Sequence, residues 1–293
     1  MESTTPTRTS LGVATRVGGV ELTVTDLDRS VAFYQDALGL RQHSREDDTA
    51  SLGAGGEDLV TLVENPNARP AGRHAGLYHY ALLHPSRLEL SRAARRLAVT
   101  RTPIQGASDH GVSEALYLPD PDGNGIEIYA DRPRDQWGTL PDGSLDIYTA
   151  PLDLDDLLAP AADDPEVPRH ADPGLTMGHV HLHANDLREA VRFHRDVIGF
   201  DTMTTIPSAA FLSAGGYHHH LGVNSWRGEG IPPAPGDDVV GLRHWTLVLE
   251  SPEELDRLAA RLEAVGAPVE RDGDSVTTRD PAGISVRLSA SPA

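Results

Sequence analysis

Three histidines stand two residues apart, at His179, His181 and His183, in the stretch MGHVHLHAND. If that stretch is a β-strand, alternate side chains share a face and the three imidazoles look the same way. Neutral imidazole binds zinc, copper, iron and nickel, so a metal site is the first chemistry the pattern raises. A second cluster, His218, His219 and His220, follows in YHHH. The chain has 14 histidines but no cysteine and no lysine, all 25 of its basic residues being arginine. Thiolate metal sites, cysteine nucleophiles, disulfides, Schiff-base lysines and the phosphate-loop lysine are thereby excluded. Histidine and carboxylate remain as the good ligands for a transition metal. The histidine strand has no obvious carboxylate beside it to complete a site.

The 293 residues allow one large domain or two ordinary ones, each able to bury a core. A net charge of −19, spread along the chain, repels nucleic acid and anionic membranes, so neither is expected as a partner. The opening MESTTPTRTSLGVATR has no apolar h-region, and no run approaches membrane-spanning length, so a cytoplasmic location is expected.

Elements that could position the histidines emerge from a duplication. TDLDRSVAFYQDALGL (25–40) recurs as NDLREAVRFHRDVIGF (185–200), LGAGG ending at Gly56 as LSAGG ending at Gly216, and DPDG (120–123) as DPAG (280–283), all 160 residues on. Each copy splits again into a strand, a helix and further strands. In the first, VGGVELTVTDL alternates as a strand does, and Val31, Phe33, Tyr34 and Leu38 carry helical spacing. Asp26 or Asp28 can cap that helix and Gly39 suits its end. The same plan recurs from LYHYALLH, from GHVHLHAND and from LRHWTLVLE. The expectation is an α+β chain of four βαβββ units: two in residues 11–130, a Pro- and Asp-rich connection over 131–176, and two in 177–289. That connection reads as a domain linker or a surface wrap.

Four βαβββ units with such helices resemble the vicinal oxygen chelate superfamily, which includes glyoxalase I, fosfomycin- and bleomycin-resistance proteins and type I extradiol dioxygenases. The resemblance spans all but the N-terminal tail and the long connection. It implies two cupped mixed β-sheets with helices outside. It also implies a metal held by a first-strand His from each of two units and a last-strand Glu. The first-strand positions fall on Gly19, His79, His179 and His244. The last-strand position is Glu127 in unit two and, in unit four, Ser285 or, without a gap between the DPxG turns, Arg287. Pairing neighbouring units leaves both sites broken. Pairing two with three, and one with four, gives one complete set of His79, Glu127 and His179 beside a dead one, and is preferred.

Unit two carries a more specific likeness. DHGVSEALYLPDPDGNGIE (109–127) resembles the extradiol dioxygenase signature through His110, Leu116, Tyr117, Asp120, Pro121, Gly123 and Glu127; Ser108, where the signature usually has Gly, departs from it. FLSAGGYHHHLGV (211–223) resembles the segment whose histidine pair supplies the acid/base, which falls on His219 with His218 and His220 as alternates. The resemblance thus implies an extradiol ring-cleaving dioxygenase of catechol 2,3-dioxygenase type, in aromatic hydrocarbon catabolism. It implies Fe(II), with Mn(II) as a substitute, O2 as co-substrate, a small aromatic diol as substrate and a homo-oligomer. His219 would move protons, while Tyr117 and His110 would bond substrate oxygens. His181, His183, His218, His220, Tyr129 and Trp226 are candidates for the substrate pocket. A glyoxalase-like lyase or isomerase, and a non-catalytic resistance protein of this fold, are the competing readings. His84, ahead of Pro85, is expected to be solvated, Asp120 and Asp122 to serve a turn, and Trp226 and Trp245 to lie in the core, though either could shape the substrate pocket.

Overall fold

The computed structural model describes residues 9–291; the first eight residues of MESTTPTRTSLGVATR, the stretch expected to carry no targeting segment, lie outside them. Unit one is β1 (Arg16–Val24), α1 (Leu27–Asp36), β2 (Arg41–Glu46), β3 (Thr49–Gly53) and β4 (Asp58–Glu64). Unit two is β5 (Gly76–Leu83), α2 (Arg87–Val99), β6 (Gly106–Asp109), β7 (Ser113–Pro119) and β8 (Gly125–Asp131). The connection holds β9 (Ala150–Pro151) and α3 (Leu154–Leu158). Unit three is β10 (Thr176–His183), α4 (Leu187–Arg192), β11 (Asp201–Ile206), β12 (Ala209–Ser213) and β13 (Leu221–Asn224). Unit four is β14 (Gly241–Leu249), α5 (Pro252–Ala264), β15 (Glu270–Asp272), β16 (Ser275–Arg279) and β17 (Ser285–Ala290).

The unit helices start on one device. Asp26, Ser86, Asp186 and Ser251 take extended backbone, and their side chains accept from the N–H of Arg29, Glu89, Glu189 and Glu254. Each such cap contributes about 1 kcal/mol. Past α1 the chain reverses at Gly39, whose φ of +72° favours glycine. In unit three the α-helix widens into a π turn over Phe193–Ile198 before Gly199 ends it.

Two mixed sheets result, in the strand orders β15-β16-β17-β14-β1-β4-β3-β2 and β11-β12-β13-β10-β5-β8-β7-β6-β9. Units one and four build the first, and units two and three the second. At each centre two first strands pair antiparallel, β1 with β14 and β5 with β10. Each first strand also lies parallel to its own unit's last strand: β4, β8, β13 or β17. Period-two alternation decides the faces. Leu22 and Val24, Tyr80 and Leu82, Val180 and Leu182, and Trp245 and Leu247 are buried in one continuous core. The residues that alternate with them, including His79, His179 and His181, face the opposite side.

Sheets cut across the two sequence halves; side chains tie each half together. The Tyr34 hydroxyl on α1 donates to Asp120 Oδ2 in unit two at 3.1 Å. At the repeat-equivalent places, His194 Nε2 in unit three lies 3.5 Å from Asp280 Oδ2 in unit four. Asp120 also accepts from the N–H groups of Asp122 and Asn124 at 2.9 and 2.8 Å, which closes the DPDG turn.

The connection is a wrap. Arg87 and Arg92 on α2 pair with Asp156 and Asp164 at 2.7 Å, and Arg96 donates to the carbonyls of Leu38, Pro168 and His170. The expectation of a solvated His84 is corrected: it is only 4% exposed. Its N–H donates to the Tyr129 carbonyl at 2.8 Å, carrying the ladder one residue past β5 and keeping the ring below the surface.

Candidate active site

One row of residues crosses four strands of the second sheet. Tyr117 on β7 is the register partner of Glu127 on β8, Glu127 of Ala81 on β5, and Ala81 of His179 on β10. Register partners project to the same face. His79 lies two residues before Ala81 and shares that face. Ala81 is fully buried and ends at its Cβ, leaving space between Glu127 and His179. At Gly178 the hydroxyl of Tyr129 stands where a Cβ would be, 1.8 Å from it, so only glycine admits that ring beside His179. The rings of Tyr129 and His179 then pack at 5.0 Å.

His79 Nε2 lies 3.0 Å and His179 Nε2 3.2 Å from the same carboxylate oxygen, Glu127 Oε2, with 3.4 Å between the two nitrogens. All three side chains are buried, and no arginine pairs with Glu127 among the described residues. Three donors set at right angles about 2.1 Å from one ion stand about 3.0 Å apart, so the spacing suits a facial two-histidine, one-carboxylate metal site. Burial lowers the pKa of His179 to about 4, only partly offset by Glu127, so the ring is uncharged at neutral pH. Burial raises the Glu127 carboxyl, but facing His179 and His79 outweigh it and hold the group well below its usual range.

These groups open on a cavity of about 580 Å³. His219 lines it, its ring 4.1 Å from that of His179, and burial keeps it uncharged. His110 Nδ1 donates to the Tyr148 carbonyl at 2.7 Å, so its Nε2 accepts the Tyr117 hydroxyl proton at 2.7 Å. That leaves the Tyr117 oxygen with lone pairs for a ligand. Tyr78, Ile206, Phe211 and Trp226 form an apolar rim.

Among the candidates for the substrate pocket, His181 and Trp226 line the cavity, His181 standing outside the group around Glu127. The other four stand behind its wall. His183 Nδ1 bonds Asn224 Oδ1 at 2.8 Å, His220 Nδ1 bonds Ser213 Oγ at 3.0 Å, and Tyr129 bonds Tyr217 at 2.8 Å. His218 is fully buried, between Asp131 and His219. Successive residues of HHH point different ways, so one of the three reaches the cavity.

Sequence reasoning missed the contribution of the connection. Ile147, Tyr148 and Thr149 line the cavity, and the Tyr148 carbonyl orients His110. No periodicity marks them, because β9 adds only two residues to the edge of β6. Tyr78 and Phe211 were visible only as ordinary strand residues.

The first sheet repeats the register without the chemistry. Val20 pairs with Trp245 as Val180 pairs with Tyr80, so Gly19 stands for His179 and His244 for His79. Arg287 pairs with Thr246 as Glu127 does with Ala81, which settles the alternative between Ser285 and Arg287 in favour of Arg287. This cup has one histidine and a cation where the second has two histidines and an anion.

The family described as the Glyoxalase/Bleomycin resistance protein/Dioxygenase superfamily matches the chain twice, over residues 16–128 and 176–288. A catechol-2,3-dioxygenase of Bacillus subtilis (strain 168) is 43% identical over 278 residues, 93% of this chain and 96% of that protein. A candidate dioxygenase from Bacillus subtilis subsp. subtilis str. 168 has a solved structure similar at TM-score 0.64 and 14% identity, covering 98% of this chain and 87% of that one. Glyoxalase I from Zea mays is similar at TM-score 0.59 and 17% identity, covering 94% and 92%. At those identities the two structures speak to the fold alone.

Proposed function

The chain belongs to the glyoxalase/bleomycin resistance protein/dioxygenase superfamily, and on that premise we propose that it is an extradiol dioxygenase, opening a catechol beside its vicinal hydroxyls with O2. The observation that carries this reading is the convergence of His79, Glu127 and His179 on one point of a cavity that His219 and Tyr117 also line. These three would hold Fe(II), and Mn(II) suits the same donors. When bound, the metal acidifies the catechol hydroxyls and passes electron density to O2.

The rest falls to the chain's own residues. His219 takes a catechol proton on its cavity-facing nitrogen and returns it as the ring opens. Tyr117, its proton committed to His110 Nε2, accepts from a substrate O–H through its free lone pair. Tyr78, Phe211 and Trp226 clasp the ring face and exclude water. Among the described residues lining the cavity there is no arginine, and Glu127 is the one carboxylate. A catechol bearing a carboxylate would thus enter without a partner, and uncharged substituents are preferred. The single carboxylate also disfavours a glyoxalase-like set of four ligands. No helix among the described residues is long and apolar enough to cross a membrane; a cytoplasmic homo-oligomer is proposed with the activity.

The test is anaerobic purification, loading with Fe(II) or Mn(II), and addition of air with a panel of catechols. Oxygen uptake equal to catechol consumed, with a yellow semialdehyde product, is expected. Alkyl catechols should be used at least about tenfold more efficiently than carboxylated ones. Absence of ring cleavage across the panel with either metal overturns the reading.

A further inference from the structure

We infer that Asp131 and His218 are positioning residues that fix the tautomer of His219, aiming the lone pair of its Nε2 into the cavity; this rests on His219 being the proton acceptor proposed above. His218 Nε2 lies 2.9 Å from Asp131 Oδ1. A carboxylate only accepts, so that nitrogen carries the proton. His218 Nδ1 lies 2.7 Å from His219 Nδ1. One proton must sit between these two nitrogens. Neutral His218 has already committed its proton to Asp131, so His219 Nδ1 is the donor. The remaining nitrogen of His219, Nε2, is then unprotonated, as a base requires.

Reversing the order fails on electrostatics. If His218 Nδ1 were the donor, neutral His218 would turn a lone pair toward the carboxylate, or a fully buried ring would carry a charge. The relay is also held in place. Asp131 Oδ1 accepts the Tyr217 hydroxyl at 3.2 Å, and Tyr217 and Trp137 pack on the His218 ring at 4.0 and 5.4 Å. Phe211 and His179 hold the His219 ring at 5.1 and 4.1 Å.

In the reaction, the catechol O–H breaks, the proton bonds to Nε2 and the electron pair stays on oxygen. His219 becomes an imidazolium whose Nδ1–H still donates to His218. Asp131 faces the new charge through the intervening ring and stabilises it. Asp131 is the last residue of β8, four beyond Glu127, so one strand delivers both the carboxylate at the metal point and the carboxylate of the relay.

Tautomers are read without turnover from long-range proton–nitrogen spectra of the ¹⁵N-histidine-labelled full chain, metal-free and loaded with diamagnetic Zn(II). The expected wild-type result is a proton on His219 Nδ1 and none on Nε2. In Asp131→Asn and His218→Leu the Nε2–H form should grow. With Fe(II), kcat should fall by about 10- to 100-fold while metal affinity and KM stay within about threefold. A wild-type His219 protonated on Nε2, or wild-type kcat in both variants, overturns the relay. Should the wild type cleave no catechol, the dioxygenase reading falls instead, and the spectra still decide the tautomer.

Discussion

Glu127 on β8 and Arg287 on β17 occupy the same register position in the two sheets, the one opposite Ala81 and the other opposite Thr246. The duplication supplied two cups, and one position gives them opposite charge. Arg287 cannot serve as a metal ligand, since its guanidinium stays protonated and offers no lone pair. Glu127→Ala should therefore abolish metal binding, while His244→Ala and Arg287→Ala leave one metal per chain. Titration calorimetry with Mn(II) checks this. Loss of binding in His244→Ala would place the metal in the first sheet.

Ala81 separates Glu127 from His179 with a methyl group. Ala81→Leu would push a branched side chain between the two donors. Metal affinity should drop by at least about 100-fold, and overpacking should cost about 1–3 kcal/mol of stability. Calorimetry and urea unfolding read the two effects separately. Undiminished metal affinity would show that the donors close on the metal elsewhere than over Ala81.

His219 stands outside the group of three donors, so its loss should spare the metal. His219→Gln is expected to keep metal content and lower kcat by about 10²–10⁴-fold. Tyr117→Phe removes one hydrogen-bond acceptor for a substrate hydroxyl but no base, so the drop should be smaller, about tenfold. Stopped-flow measurement of semialdehyde formation compares them. Equal turnover in His219→Gln and wild type would move proton transfer to another group.

Buried neutral histidines make the fold sensitive to acid. Burial lowers His84 to about 3 from 6.5, with Arg96 adding to the effect, and lowers His220 to about 3. In the unfolded chain both take a proton near pH 6.5, whereas in the folded chain they resist it. Below pH 6.5 the unfolded state thus binds more protons. Stability is fully present above that pH and falls as pH drops toward 3, by about 1.4 kcal/mol per unit for each such group. His84 Nδ1 is buried without a partner, so His84→Leu removes one titrating group and one unsatisfied atom. Urea midpoints at pH 7.5 and 5.0 should lie closer together in His84→Leu than in wild type. Equal separation would show that the ring is protonated or exposed in the folded chain.

The sequence alone determined what repeats: four units, their helix caps, the DPxG turns and the residue types at each equivalent place. These are local, set by spacing and by side chains bonding their own backbone within a few residues. It also limited metal chemistry to histidine and carboxylate by containing no thiol. Only the tertiary structure decided which histidine of HHH reaches the cavity, since neighbours in an irregular turn have no fixed period. Only it placed Tyr148 and Asp131 at the site, because their roles depend on a carbonyl and a carboxylate meeting rings from 38 and 87 residues away. And only it put Arg287 in the register of Glu127. Register belongs to the ladder between two strands, and no single strand encodes its partner's alignment.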